Sequence, residues 1–362
     1  MKTKTRKRKR GLRQDKVNFN EGVKLWTGFY RCNMHRFAVD YLQFPLFGFQ
    51  MILLYMMNIN NFFYWTASRG LGKSYLTAIY ACCRCILYPA TKIVIASGTK
   101  NQSKLLISQK IEKELMHTSP NLRREIAYIK VGANDALVKF KNGSTIEAVA
   151  STDSSRGYRA NILILDECRL ISQHILKSVL TPFLSVVRRP KFYDKPEYKD
   201  YPLEENKELY LTSAWYKEHH SYDKFVSYRN DMCKGKDYFC CAFPYQLAVK
   251  HGLLTQARVD AIRNEEDMNE ISWLMEMEAV WFGEHMSSFF KSAEINPCRT
   301  MKKGWSPPTP IEYLQEKDKI KKKYYLPKVG GEKRIISADI SVMGGSGNDA
   351  SIFTLMRLIP QQ

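Results

Sequence analysis

Acidic residues, paired cysteine ligands and long apolar runs are what this sequence is short of. Its 362 residues hold 36 Asp and Glu against 56 Lys and Arg, a formal net charge of +20. That imbalance is larger than solubility requires and argues for a polyanionic partner, nucleic acid first. Nine cysteines are present. Cys82, Cys83 and Cys85 cluster, but no second ligand pair follows, which argues against a zinc site; they read as small buried hydrophobes on a helix. The most apolar stretch, Phe44 to Met57, is too short to span a bilayer and is interrupted by Gln50, so a core helix is expected and no membrane role. No secretory signal or internal repeat is evident, so a reducing, non-secreted compartment is expected.

The basic charge is partly local. Residues 1–16 carry nine Lys and Arg against one Asp, so +8 of the +20 sits there. This reads as a disordered basic arm.

What is present begins with Ala67-Ser68-Arg69-Gly70-Leu71-Gly72-Lys73-Ser74. An apolar aromatic run, Asn61 to Thr66, precedes it, and a stretch of helical composition follows. Strand, Gly-rich turn, Lys-Ser and helix form the layout of a phosphate-binding P-loop, with Ala67 in place of the usual first glycine. Backbone N–H groups of such a turn and the helix N-terminus cradle phosphate oxygens. Lys73 would reach the β- and γ-phosphates of ATP and the Ser74 hydroxyl would ligate Mg²⁺. The same residues would equally serve as a tight strand–helix turn that holds nothing.

A second apolar strand, Leu163-Ile-Leu, ends in Asp166-Glu167. Asp166 would join the Mg²⁺ shell and Glu167 would orient and deprotonate the attacking water. An Asp-Glu pair is also a common helix start. Three further stretches fit a nucleotide motor, each with a plainer reading. Arg156 and Arg159, in Ser154-Ser-Arg-Gly-Tyr-Arg, would supply an arginine finger, or lie on a surface. Arg69 would stabilise the γ-phosphate from within the loop. Thr212-Ser213-Ala214 would couple hydrolysis to movement, or merely end a strand. Gln50, about twenty residues ahead of the P-loop strand, has an amide able to read adenine, or else simply opens a helix.

Between these motifs strands alternate with helices. Strands are expected at 92–97, 136–140, 145–149, 161–165, 208–213 and 238–243, with Asn142-Gly143 turning a hairpin. Helices are expected at 75–87, 101–116 and 173–187. The class is therefore α/β, with a mostly parallel sheet. Four regions follow: the arm 1–16, an ATPase domain 17–243, a helical lid and linker 244–332, and a new start at 333–362. That last region opens with the strand Lys333 to Asp339, turns through Gly344-Gly-Ser-Gly347 and continues from Asp349 into a second strand.

Together, Gln50, Ala67 to Ser74, Ser155-Arg156-Gly-Tyr-Arg159, Leu163 to Glu167 and Thr212 to Ala214 resemble the large terminase subunit of tailed bacteriophages. The resemblance implies a RecA/ASCE-like ATPase that drives double-stranded viral DNA into a procapsid. Its partners would be the portal protein and procapsid, the small terminase subunit, and copies of itself in a ring, in the host cytoplasm and transiently at the portal. It also implies an RNase H-like nuclease, of which 333–362 would be the opening hairpin. There Asp339 would be the first ligand of a Mg²⁺ or Mn²⁺ pair. The other carboxylates lie far downstream in the family, so no nuclease activity is expected of this chain. Two rivals remain: a DEAD-box-type helicase, which needs a second RecA-like domain, and a non-catalytic nucleic-acid-binding assembly protein.

Overall fold

Period-two alternation along the apolar strands sorts their side chains onto two faces, and both faces are buried. Phe63 and Trp65 of β1 (Phe62–Ala67), Ile93 and Ile95 of β2 (Lys92–Ala96), Ile162 and Ile164 of β6 (Ile162–Asp166), and Leu209 and Leu211 of β7 (Lys207–Thr212) belong to one core. Their neighbours Tyr64, Val94, Leu163, Leu165 and Tyr210 belong to another. Residues packed on both sides read in sequence as continuous apolar runs, which is the mark of a parallel sheet covered by helices.

The computed structural model describes residues 2–132, 135–198, 200–265, 268–283, 310–315, 327–339 and 352–358. Its contacts divide into two units, Met1–Phe289 and Phe290–Gln362.

The first unit is built on an eight-stranded sheet of order β3-β4-β5-β2-β6-β7-β1-β8. The six strands from β5 to β8 are parallel. β3 (Ile126–Val131) and β4 (Ala136–Phe140) add an antiparallel flank beside β5 (Thr145–Val149), and β8 (Tyr238–Phe243) forms the other edge. The Asn142-Gly143 hairpin is in place; β3, largely exposed, has too little alternation to announce itself.

One face is covered by α2 (Met34–Asp40), α3 (Gly48–Ile59), α4 (Lys73–Leu87) and the helix continuing from α5 (Lys100–Leu105) through Leu106–Leu115. α4 is buried without a break from Leu76 to Cys85, mostly by apolar side chains but with Thr77 and Arg84 enclosed among them. Cys82, Cys83 and Cys85 are buried in it as packing residues.

Three stretches differ from the sequence expectation. Residues 2–16, a stretch rich in good helix formers, form the leading turns of α1 (Lys2–Cys32) instead of an irregular arm. Residues 173–185 are helical as expected but change pitch along the way, from Gln173–Ile175 through Leu176–Leu180 to Thr181–Ser185, with Pro182 tolerated in the first turn of the last piece and Leu184 leaving helical backbone. The helices after β8, Tyr245–Lys250, Gln256–Arg263 and Glu270–Glu276, pack inside the first unit around Val259, Ile262, Trp273 and Met277.

In the second unit β9 (Lys333–Asp339) pairs antiparallel with β10 (Ile352–Leu358), and Asp339 is in register with Ile352. Glu332, buried ahead of β9, accepts from Arg334 and Arg357. A short helix, Pro310–Gln315, lies in the stretch expected as linker. The turn at Gly344 to Gly347 and Asp349 lie outside the described residues. No described helix is long and apolar enough to cross a membrane.

Candidate active site at the carboxyl edge of the sheet

Parallel strands end together, and a chain leaving them meets its neighbours at one edge, where α/β folds place their ligands. The register here aligns Thr66 of β1 with Thr212 of β7, and Asp166 of β6 with Leu211. The Ala67–Ser74 turn, the Asp166-Glu167 pair and Thr212-Ser213-Ala214 therefore emerge side by side.

The turn itself is held tightly. Ser68 N–H donates to Phe243 O and Arg69 N–H to Glu276 O, 3.0 and 3.1 Å. Ala67, Ser68 and Leu71 are buried, Leu71 as a core residue. Gly70 and Gly72 take φ of +84° and +77°, a region that disfavours any side chain. α4 starts at Lys73 directly beyond. Gln50 lies against this turn: a side chain on Gly72 would come within 3.4 Å of its Nε2. Its Oε1 meanwhile accepts from Phe47 N–H at the start of α3, 3.1 Å. Gln50 thus opens α3 and stands beside the turn.

Lys73 is folded inward. Its Nζ reaches Glu167 Oε1 (3.1 Å), Ser213 Oγ (3.1 Å) and Ala67 O (3.2 Å). Ser213 in turn donates its N–H to Glu167 Oε2, 3.4 Å. Thr212 and Ala214 are fully buried on either side, with Thr212 Oγ1 donating to Ser213 O. Glu167 sits in left-handed backbone, φ +48° and ψ +51°.

Asp166 is enclosed, and burial, then the neighbouring Glu167, push its carboxyl up to about 6. Lys73 and the Ser74 hydroxyl pull the other way without prevailing. One carboxylate oxygen, Oδ1, is buried with no partner. An orphaned acceptor of this kind needs an explanation. It lies beside a cavity of about 320 Å³ lined by Ser74, Asp166, Glu167, Ser97, Gln102 and Gln109, among others. Leu105 and Leu106 form its apolar wall, and the Ser74 hydroxyl and the unpartnered carboxylate oxygen on the other side are oxygen donors of the type Mg²⁺ takes. The residues present fit that ion.

Two residues that sequence reading did not single out complete the arrangement. Arg169 Nη2 pairs with Glu276 Oε1 (2.7 Å) and its Nη1 donates to Ala214 O (3.3 Å). Its guanidinium also stacks 4.6 Å from the Trp215 ring and lies 3.4 Å from Glu167. The other oxygen of Glu276 holds Arg69 Nε, 3.1 Å. Burial pushes the Glu276 carboxyl up, but the two guanidiniums outweigh it and hold it below the usual glutamate range. Glu276 therefore ties the Ala67–Ser74 turn, through Arg69, to the segment after Glu167, through Arg169. It lies 207 residues from Arg69, and no local pattern could announce that contact.

Arg156 is not part of this cluster. It is exposed and ion-paired with Asp153 three residues before it, 2.7 Å. Arg159 donates to Tyr158 O, its own neighbour. Asp339 lies on β9 in the second unit.

Residues 65–192 match the family model described as terminase large subunit, T4-like-virus type, N-terminal. The match supports the family resemblance read from the motifs. Among curated proteins no sequence matches. Among solved structures, the large terminase of a thermophilic bacteriophage superposes with a TM-score of 0.50 at 12% identity, over 66% of this chain and 54% of that one. The same phage protein in complex with ADP gives 0.49 at 14% identity, again over 66% and 54%. The large terminase ATPase domain of Thermus phage P74-26 gives 0.48 at 13% identity, over 67% and 96%. The chain thus spans about half the length of the thermophilic phage's terminase. At 12% identity that likeness shows a shared fold, the mostly parallel α/β sheet with flanking helices.

Proposed function

We propose that this chain is the ATP-hydrolysing part of a viral DNA-packaging motor, acting on double-stranded DNA at the portal of a procapsid. The observation that carries this reading is Lys73 ion-paired with Glu167 and hydrogen-bonded to Ser213. One cation, one base and one hydroxyl thereby share a single network at the mouth of a phosphate-sized turn.

In this reading the phosphates of ATP occupy the Ala67–Ser74 turn and the amide of Gln50 meets the base. Phosphate oxygens compete for Lys73, and as its ammonium turns to them it leaves Glu167. Glu167 is then free to orient water and accept its proton. Ser74 and Asp166 would hold Mg²⁺, which neutralises charge developing on the phosphates. Ser213 loses its Lys73 partner in the same event, so Thr212 to Ala214 register the nucleotide. Arg69, or Arg156 offered to a neighbouring copy in a ring, would stabilise the transferring phosphoryl group. Asp339 would open a metal-dependent nuclease site of RNase H type, which needs further carboxylates to act.

The test is steady-state ATP turnover of the chain and of Glu167→Gln. The reading expects turnover lowered about a thousandfold in the variant with nucleotide affinity kept, the usual size of a lost general base. Equal turnover in both would sink Glu167 as the base. No turnover in either would sink the ATPase.

A further inference from the structure

The opposite edge of the same sheet carries a second concentration of charge that the ATPase chemistry does not use. A recess of about 230 Å³ is lined by Lys92, Arg159, Arg188 and Arg189, with Ala90, Asn161 and Val186 among its other walls. No acidic residue is among its lining residues. Lys92 opens β2 and Asn161 immediately precedes β6, whereas Asp166 ends β6. The recess is therefore a strand length, about 16 Å, from the phosphate turn.

Its floor is fixed. Arg188 is buried, pairing with Glu204 (2.7 Å) and donating to Pro89 O (3.0 Å). The same Glu204 also pairs with buried Arg84. Arg31, Arg84 and Arg188 all gather over the Tyr88 ring, at 4.9, 3.5 and 5.5 Å. Two guanidiniums share one carboxylate, so the floor holds a surplus of positive charge in partly dry surroundings. Lys92, Arg159 and Arg189 add exposed cations at the rim. An anion is the group this arrangement lacks.

We infer that this recess is a phosphodiester-binding site that grips the backbone of duplex DNA, a reading that rests on the motor proposed above. Its cations come from three separate chain segments and lie in an open recess, unlike the glycine cradle that encloses one nucleotide. The amide in its wall, Asn161, is not free to read bases, since it is held by Lys92 N–H (2.9 Å) and Val186 O (3.1 Å). Phosphate contact without base contact is what a protein moving along DNA of any sequence requires. The site lies at the sheet edge remote from the nucleotide, so it holds DNA without obstructing ATP.

The test is anisotropy of a fluorescent duplex of about 30 base pairs titrated with the full chain at increasing salt. Lys92→Ala/Arg189→Ala should bind at least about tenfold more weakly and lower the log–log salt slope by about 2, close to one unit per lost phosphate contact. Lys92→Arg/Arg189→Lys should keep the parent slope. An unchanged affinity and slope in the alanine variant overturns the site. So does inorganic phosphate binding that the alanine variant loses while duplex binding stays intact, which would make it a free-phosphate site. ATP turnover without DNA, read on the parent chain, separates the two proposals. Turnover present with an unchanged slope sinks this site alone. A changed slope with no turnover sinks the ATPase and leaves the site standing.

Discussion

At the carboxyl edge of the sheet Lys73, Arg69 and Arg169 are all ion-paired, to Glu167 and Glu276, with Asp166 beside them. At the amino edge Arg84 and Arg188 divide a single carboxylate, Glu204, with Arg31 stacked beside them. Lys207 lies nearby and donates to two carbonyls, Asn58 O at 2.9 Å and Asn60 O at 2.8 Å. The first edge is internally compensated, so a ligand acts there by breaking pairs already made, and binding becomes a change of state. The second carries a surplus, so an anion adds to it without undoing anything. One edge is built to switch and the other to hold.

Asp166 and Lys207, neither of them ion-paired among the described residues, give the sharpest contrast, because burial shifts them in opposite senses. Asp166 is raised from 3.8 to about 6. The folded state therefore keeps its proton longer than the unfolded chain does, and stability falls as pH rises from about 4 to about 6, by ~3 kcal/mol. Lys207 is lowered from 10.5 to about 7, by burial first and Arg84 second. The folded state releases that proton early, so stability rises between about pH 7 and 10.5, by on the order of 5 kcal/mol. Denaturant midpoints across pH should show both slopes. Asp166→Asn should flatten the acid one and Lys207→Met the alkaline one. A variant that flattens the wrong limb would break the comparison.

Next in size is Lys73→Ala. Loss of a charge-assisted contact with phosphate should weaken ATP about a hundredfold by equilibrium binding, while the amino edge and its affinity for duplex DNA stay as they were. A parallel fall in DNA affinity without nucleotide would show that the edges are not independent. Glu276→Gln should cost about 2 kcal/mol in chemical denaturation, since Arg169 and Arg69 both lose their charged partner in half-dry surroundings. It should also loosen the P-loop, read as faster amide exchange at Arg69, whose N–H bonds Glu276 O. The smallest effect belongs to Arg156→Ala. Its exposed pair with Asp153 is worth at most about 0.5 kcal/mol. Turnover of the isolated chain should not change. Mixing Arg156→Ala with Glu167→Gln tests a role between copies, because each variant should then supply what the other lacks.

Much of the carboxyl edge was legible in the sequence because its chemistry is local. A P-loop spells its turn, lysine and hydroxyl in eight consecutive residues, and Asp166-Glu167 follow directly on the strand that presents them. The parallel sheet was legible for a related reason, since strands buried on both faces are apolar without interruption. What was not legible is long-range or weakly patterned. Arg169 stands two residues after Glu167, yet nothing nearby shows that Glu276 will come to meet it. The amino edge was hidden more fully. Arg31, Arg84 and Arg188 are spread over 157 positions and converge only because α1, α4 and the segment after Pro182 end at the same corner. β3 escaped because an exposed flank strand has no hydrophobic face to alternate.

The left-handed backbone at Glu167 has a consequence for how this protein can change. That conformation costs a side-chain-bearing residue about 1 kcal/mol, and glycine or asparagine would occupy it with less strain. Glycine at this position would relieve that strain but leave the Lys73 ammonium and the Ser213 N–H without the carboxylate that now receives them. The side chain's contacts are thus what hold the backbone in a region it would otherwise leave.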